Sequence, residues 1–441
     1  MNQSFHFAAA LCVLVSAPLA AAPTPTEQRM IATVDQEQGR TLSFLERMVN
    51  QNSGSLNLAG VEAVGKMVRA EFEPLGFDVR WIPLKETGRA GHIVAYHRPR
   101  TAARGQKMLL IGHLDTVFEP DSPFQRWIRE GNEGRGPGAA DNKGGIAVIL
   151  AAVRAMKAAG TLAGADITIV LTGDEEDSGN PIALARRDLI AEGKKADVAL
   201  DFEGLSRDGP PGAERDMGVV ARRGSMGWTL KVTGRPGHSS GIFSAQAGYG
   251  ANYELARILD SFRRDLTDDK LTYNVGLISG GTTAALDEDR IRATATGKSN
   301  IIAAQAVARG DLRALTPAQV ERTQAKMRAI VAASLPGAKA ELTFDEDAYP
   351  PMAPTAGNRA LLARLNQVNA DLGLARQEEQ DPLKRGAGDI SFVAQDVDGL
   401  VGLGPASRGD HTAEERVDIP SIWLQAKRAA LLMSRLAAGK R

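Results

Sequence analysis

Apolar residues recur first at helical spacing along this chain and then in short unbroken runs. Leu42, Phe44, Leu45, Met48 and Val49 mark one helix face within residues 27–75, and a second helical pattern begins at Val61 and stops at Gly76. Strand-like runs follow at residues 93–96, 108–111 and 167–171, with an apolar helix at 146–159 before the last of them. Strands alternating with helices predict βαβ units around a largely parallel sheet, with ligands at the carboxyl ends of the strands.

A Gly- and Pro-rich stretch at 205–217 interrupts this pattern. Strands are then expected at 228–232, 273–279, 291–296 and 306–312, with helices at 249–262 and 317–333, which reads as an inserted α+β unit. The Pro-rich segment Tyr349-Pro350-Pro351 to Pro354 marks the return, and helices at 359–372 and 422–436 close the first unit around an apolar run at 400–403. The expected division is a leader at 1–22, a catalytic domain in two parts at 23–217 and 349–441, and the insert at 218–348.

The 53 Lys and Arg balance 53 Asp and Glu, so the formal net charge is zero and a basic nucleic-acid-binding surface is not expected. Residues 7–20 form an apolar run too short to span a bilayer that ends in small residues, although no Lys or Arg precedes it. It reads as an export leader, giving a periplasmic or secreted protein with no membrane attachment once the leader is removed. The single cysteine, Cys12, lies inside it. Without Cys12 there is no disulfide, thiolate ligand or cysteine nucleophile, and metal binding would rest on imidazole and carboxylate.

Several strand ends carry chemistry. His113-Leu114-Asp115 follows the run at 108–111, and period-two alternation puts its His and Asp on one face. Gly136-Pro137-Gly138-Ala139-Ala140-Asp141-Asn142-Lys143-Gly144-Gly145 precedes a helix. Asp174-Glu175-Glu176-Asp177 follows the run at 167–171, and adjacent carboxylates point different ways, so one can bind a metal while its neighbour accepts a proton. Asp201-Phe202-Glu203 and Asp410-His411 complete the set. Two His and at least three carboxylates form the N/O donor set that Zn²⁺ accepts, and two metals sharing a carboxylate would fit the count.

In this order and at these spacings, the motifs resemble the co-catalytic zinc exopeptidases, the family that includes glutamate carboxypeptidases, aminoacylases and acyl-diamine deacylases. The resemblance spans nearly all of the chain after the leader. It implies a three-layer α/β/α catalytic domain with an inserted ferredoxin-like lid that forms a homodimer. It also implies two Zn²⁺ per subunit, bridged by Asp141, with His113 and Glu203 on one and Glu176 and His411 on the other. Asp201 stands close enough to Glu203 to be the alternative ligand.

Glu175 would then be the general base, Asp115 would orient His113, and His238 would act in the partner's active site. Asn300, Arg313 and Gly386 would contact the substrate carboxylate. His92 and His97 match no motif and are expected to be structural. The substrate class implied is a peptide or N-acyl amino acid cleaved next to its C-terminal residue. Two segments depart from the family pattern: Lys384-Arg385-Gly386-Ala387-Gly388 replaces a Gly-Gly-Thr motif, and the return strand at 344–349 is acidic, which argues against a glutamate side chain at that position.

Overall fold

The computed structural model describes residues 22–99 and 105–439; the expected leader at 1–22, with Cys12, lies outside them but for its last residue. Helix α1 (Pro25–Gln36) starts at a capping box in which the Thr24 hydroxyl accepts from the Glu27 amide and the Glu27 carboxylate accepts from the Thr24 amide. Helices α2 (Gln38–Val49) and α3 (Leu58–Phe72) follow. Strands β1 (Asp78–Pro83), β2 (Gly91–His97) and β3 (Lys107–His113) lead to α4 (Lys143–Ala158), β4 (Asp166–Thr172), α5 (Arg187–Gly193) and β5 (Val198–Asp201).

The inserted segment contributes β6 (Met226–Gly234), α6 (Gly250–Asp265), β7 (Thr272–Gly281), β8 (Gln305–Arg313), α7 (Pro317–Ala332) and β9 (Ala338–Phe344). Helix α8 (Ala356–Asp371), strand β10 (Gly399–Leu400) and helix α9 (Ile419–Ala438) return to the first unit.

The main sheet runs β1-β2-β4-β3-β5-β10. Pairings among β4, β3, β5 and β10 are parallel, but β2 runs antiparallel to both neighbours, so the sheet is mixed at one side where the sequence pattern predicts a largely parallel one. The turn joining β1 to β2 is short and needs no crossover helix, which lets β2 double back. Period-two alternation sends Leu110, Ile169 and Leu200 to a core with α1 to α4 and α9, and sends Leu109, Ile111, Val170 and Ala199 to a second core with Leu189 of α5 and Ile390. Helix α4 is buried on nearly every side because α1, α2 and α9 pack around it. The result is the three-layer arrangement expected.

The insert folds as a four-stranded antiparallel sheet, β7-β8-β6-β9, with α6 and α7 on one face. Trp228, Leu230 and Val232 interleave there with Leu255, Ile258, Phe262 and Met327, and Trp228 meets Phe262 edge-on at 5.8 Å. This is the ferredoxin-like lid, with two differences from the sequence pattern. Residues 291–296 contribute Ala293–Thr296, which pairs with Thr283–Leu286 in a separate ribbon, and the fourth sheet strand is β9.

Two chain crossings join lid to main unit, and they pair with each other. The amide and carbonyl of Arg222 exchange hydrogen bonds with those of Met352, and Ser225 does the same with Tyr349.

Candidate metal centre

Parallel pairing sets the strand ends level: His113 of β3 stands opposite Thr172 of β4, and Ile111 opposite Asp201 of β5. The segments leaving these strands therefore emerge at one edge, where Asp115, Glu175, Glu176 and Glu203 collect. Asn142 ties two of them together, its Nδ2 donating to the Phe202 carbonyl at 3.0 Å and its Oδ1 accepting from the His113 amide at 3.4 Å.

Asp141 occupies the turn before α4, and the peptide between it and Asn142 is cis. Its Oδ1 lies 3.0 Å from Nε2 of His113, and its Oδ2 lies 3.1 Å from Nε2 of His411. Glu203 Oε1 is 3.5 Å from the same nitrogen of His113, and Glu176 Oε2 is 3.2 Å from that of His411. The Asp141 carboxylate thus stands between two His and carboxylate pairs, one oxygen toward each. Ligand atoms of His113, Asp141 and Glu176 all fall within 4.8 Å of one another. Asp201, the alternative to Glu203, is buried and faces Arg222 at 3.8 Å instead.

Asp115 holds the other side of His113, with its carbonyl 3.1 Å and its Oδ1 3.3 Å from Nδ1, so that Nε2 is the nitrogen turned to the cluster. It also accepts from the amides of Glu175 and Glu176 and from the Ser55 hydroxyl, which locks the acidic turn to the histidine. The four consecutive acids separate in space. Asp174 pairs with buried Arg186 at 2.6 Å and Asp177 with Arg89 at 2.7 Å, which leaves Glu175 and Glu176 for the centre.

The electrostatics favour a cation. Burial, with neighbouring Glu203, Asp389 and Glu176, holds the Glu175 carboxyl well above the usual range, although His113 opposes this. Burial and Asp141 push Glu176 up to about 7 against the pull of His411, and burial beside Glu203 raises Asp201. Burial disfavours charge on His113, yet its bonds to Asp115, Asp141 and Glu203 outweigh that and hold it well above its ordinary value. Carboxylates outnumber cations here, and divalent ions among these N and O donors would relieve every one of these shifts.

A model of peptidase family M20/M25/M40 matches residues 109–435. The chain belongs to this family. Carboxypeptidase G2 of Pseudomonas sp. (strain RS-16) is 29% identical over 323 residues, covering 71% of this chain and 69% of that protein. A succinyl-diaminopimelate desuccinylase of Leptothrix cholodnii is 24% identical over 87% of this chain and 95% of its own.

Among solved structures, aminopeptidase PepT of Bacillus cereus superposes with a TM-score of 0.72 at 18% identity, over 91% of this chain and 99% of that one. The YXEP protein of Bacillus subtilis, described as a dinuclear metal-binding peptidase, gives 0.62 at 15% identity over 91% and 98%. The protein is thus an M20 hydrolase with a possible metal site, as the motifs imply.

The remaining expected residues of this M20 chain stand apart from the cluster. His238 is exposed on the lid, its Nδ1 2.8 Å from the Ser240 hydroxyl, and the neighbouring Asn300 carbonyl accepts from the Ser239 amide. Arg313 is bonded to Asp311 at 2.8 Å, and its Nη1 lies 3.8 Å from where a side chain on Gly386 would begin. Among the described residues none of these four hydrogen-bonds to the His113 and Asp141 cluster. His92 and His97 serve the fold, bonding the carbonyls of Ala185 and Ala165 at 2.7 and 2.9 Å.

Of the acidic return segment, Asp345 is gripped by Arg290 at 2.6 Å and by Arg309 at 2.6 Å, so its charge is paired within the lid. Sequence reading also missed Glu415, buried four residues after His411. It accepts from the amides of Gly138, Ala140 and Asp141 and so fixes the turn that carries Asp141. Gly138 has a left-handed φ of 73°, and a Cβ there would meet Thr116 at 2.7 Å. His411 itself adopts φ 62°, a strained setting for a non-glycine residue and one that recurs at functional sites.

Proposed function

We propose that this M20 hydrolase is a metallo-carboxypeptidase with two Zn²⁺ per subunit. It would cleave the amide next to a C-terminal amino acid in a peptide or N-acyl amino acid. The observation that carries this reading is the placement of Asp141 with one oxygen toward His113 and Glu203 and the other toward His411 and Glu176. Those residues would hold the two ions, and an imidazole and carboxylate set without thiolate suits zinc. When bound, the ions would supply Lewis acidity to the scissile carbonyl and would lower the pKa of the attacking water.

The chain's own residues do the rest. Glu175 lies beside Glu176 on the turn that Asp115 holds, where it would take the water's proton and return it to the leaving amine nitrogen. Asp115 keeps His113 in the tautomer that presents Nε2. Arg313 and Asn300 would meet the substrate carboxylate, and His238, in a homodimer, would reach the partner's site and steady the oxyanion. The exposed Phe243, Tyr253 and Ile278 of the lid supply apolar surface for such pairing. Read with the leader at 1–22, the enzyme would act in the periplasm or outside the cell.

Glu175→Gln is the test. It should lower kcat about 10²- to 10⁴-fold while metal content stays at two ions per chain. A fully active variant would overturn the mechanism, as would a wild-type enzyme indifferent to chelation.

A further inference from the structure

Arg385 stands beside the metal centre and is largely unclaimed by the protein. Of its five N–H donors, one is used among the described residues, Nη2 donating to the Gly204 carbonyl at 2.9 Å. Gly204 directly follows Glu203 in the chain, so this bond ties the guanidinium to the segment that presents Glu203 to His113. Among the described residues its Nε is buried without a partner and no carboxylate comes within ion-pair distance, although Glu203, Asp141, Asp201 and Asp410 lie within electrostatic reach. Arg222 takes the ion-pair contacts to Asp201 and Glu203 at 3.8 and 3.5 Å. Arg385 is therefore a spare cation.

The loop that follows is turned to match. Arg222 donates to the carbonyls of Gly386 and Ala387, at 2.6 and 2.5 Å. A trans peptide points its N–H opposite its C=O, so the amides of Ala387 and Gly388 face away from Arg222. Among the described residues neither amide has a hydrogen-bond partner. Arg313 Nη1 approaches the same loop at Gly386.

We propose that Arg385, in the subunit whose residues would hold the metals, joins Arg313 and Asn300 on the carboxylate of the leaving C-terminal residue. This deepens the carboxypeptidase reading and rests on it. A guanidinium presents a planar pair of donors that matches a carboxylate.

The experiment compares N-acetyl dipeptides with apolar, acidic and basic C-terminal residues, each as the free acid and as the carboxamide, on the wild-type enzyme, Arg385→Gln and Arg385→Lys. Metal content is measured alongside. Arg385→Gln should raise KM for the acids about 10- to 100-fold, leave the carboxamides within about threefold, and keep both metals, with Arg385→Lys in between. Equal loss on acids and carboxamides, or undiminished preference for the acids, overturns the assignment.

Calorimetric titration of the released amino acids and their amides gives a readout independent of turnover. Tighter binding of the acid must weaken in Arg385→Gln, and unchanged binding also overturns the assignment. A wild-type enzyme that cleaves none of the acids defeats the carboxypeptidase reading instead, while the titration still judges Arg385.

Discussion

Glu415 and Asp141 are joined through the main chain: Oε1 of Glu415 accepts from the Asp141 amide at 3.2 Å and from Ala140 at 3.0 Å. A buried carboxylate thereby replaces water for a turn whose amides would otherwise be orphaned. Glu415→Ala should cost about 2–4 kcal/mol in urea denaturation, since three buried amides lose their acceptor. It should also weaken metal binding in a competition titration with a chelator. Stability within about 0.5 kcal/mol of wild type would contradict this role.

Asp115 acts on the centre through His113 and through the amides of Glu175 and Glu176. Asp115→Asn keeps the size but removes the charge that fixes the imidazole tautomer. Metal affinity should fall about 10- to 100-fold by chelator competition, with little change in secondary structure by circular dichroism.

Arg186 is buried between Asp174 and Asp389, at 2.6 and 2.7 Å, and Asp389 also accepts from the Thr172 hydroxyl. Arg186→Met would leave two uncompensated carboxylates. A loss of about 3–5 kcal/mol is expected, read as a lower Tm and urea midpoint. Arg186→Met with Asp174→Asn and Asp389→Asn should recover part of it, because the stranded charges are then gone.

Glu27 gives a pH signature. Burial pushes its carboxyl up, but hydrogen bonds from Arg435 and Thr24 outweigh that and hold its pKa below 4.5. The folded chain then binds fewer protons than the unfolded chain between the two pKa values. The stabilisation is present above pH 4.5 and is lost as pH falls through the folded value. Glu27→Gln should be less stable by about 1 kcal/mol at pH 7, and the difference should shrink as pH falls below 4.5. A difference that persists unchanged to pH 2 would contradict the charge-based account.

The elements legible in the sequence are those whose reason is local. Helix α4 follows from an unbroken apolar run after a Gly-rich turn; His113, Glu176 and Glu203 stand just past such runs and Asp141 in the turn before one, and the family resemblance joined them with His411. What stayed hidden depends on partners distant in sequence. Nothing near Asp174 says that Arg186 will claim it, and nothing near Asp345 announces Arg290, 55 residues away. The antiparallel course of β2 is equally invisible, since a buried apolar run carries no direction. Glu415 lay in plain view beside His411, but its amide partners are about 275 residues upstream.

The ribbon joining lid to main unit has a mechanical consequence. Arg222, on one of its strands, grips the Gly386 and Ala387 carbonyls and faces Glu203. Tyr349, on the other, donates its hydroxyl to the Glu175 carbonyl and stands beside Arg186. The spine on which the lid hangs is therefore also the strut bracing the Glu175 turn on one side and the Glu203 carboxylate on the other.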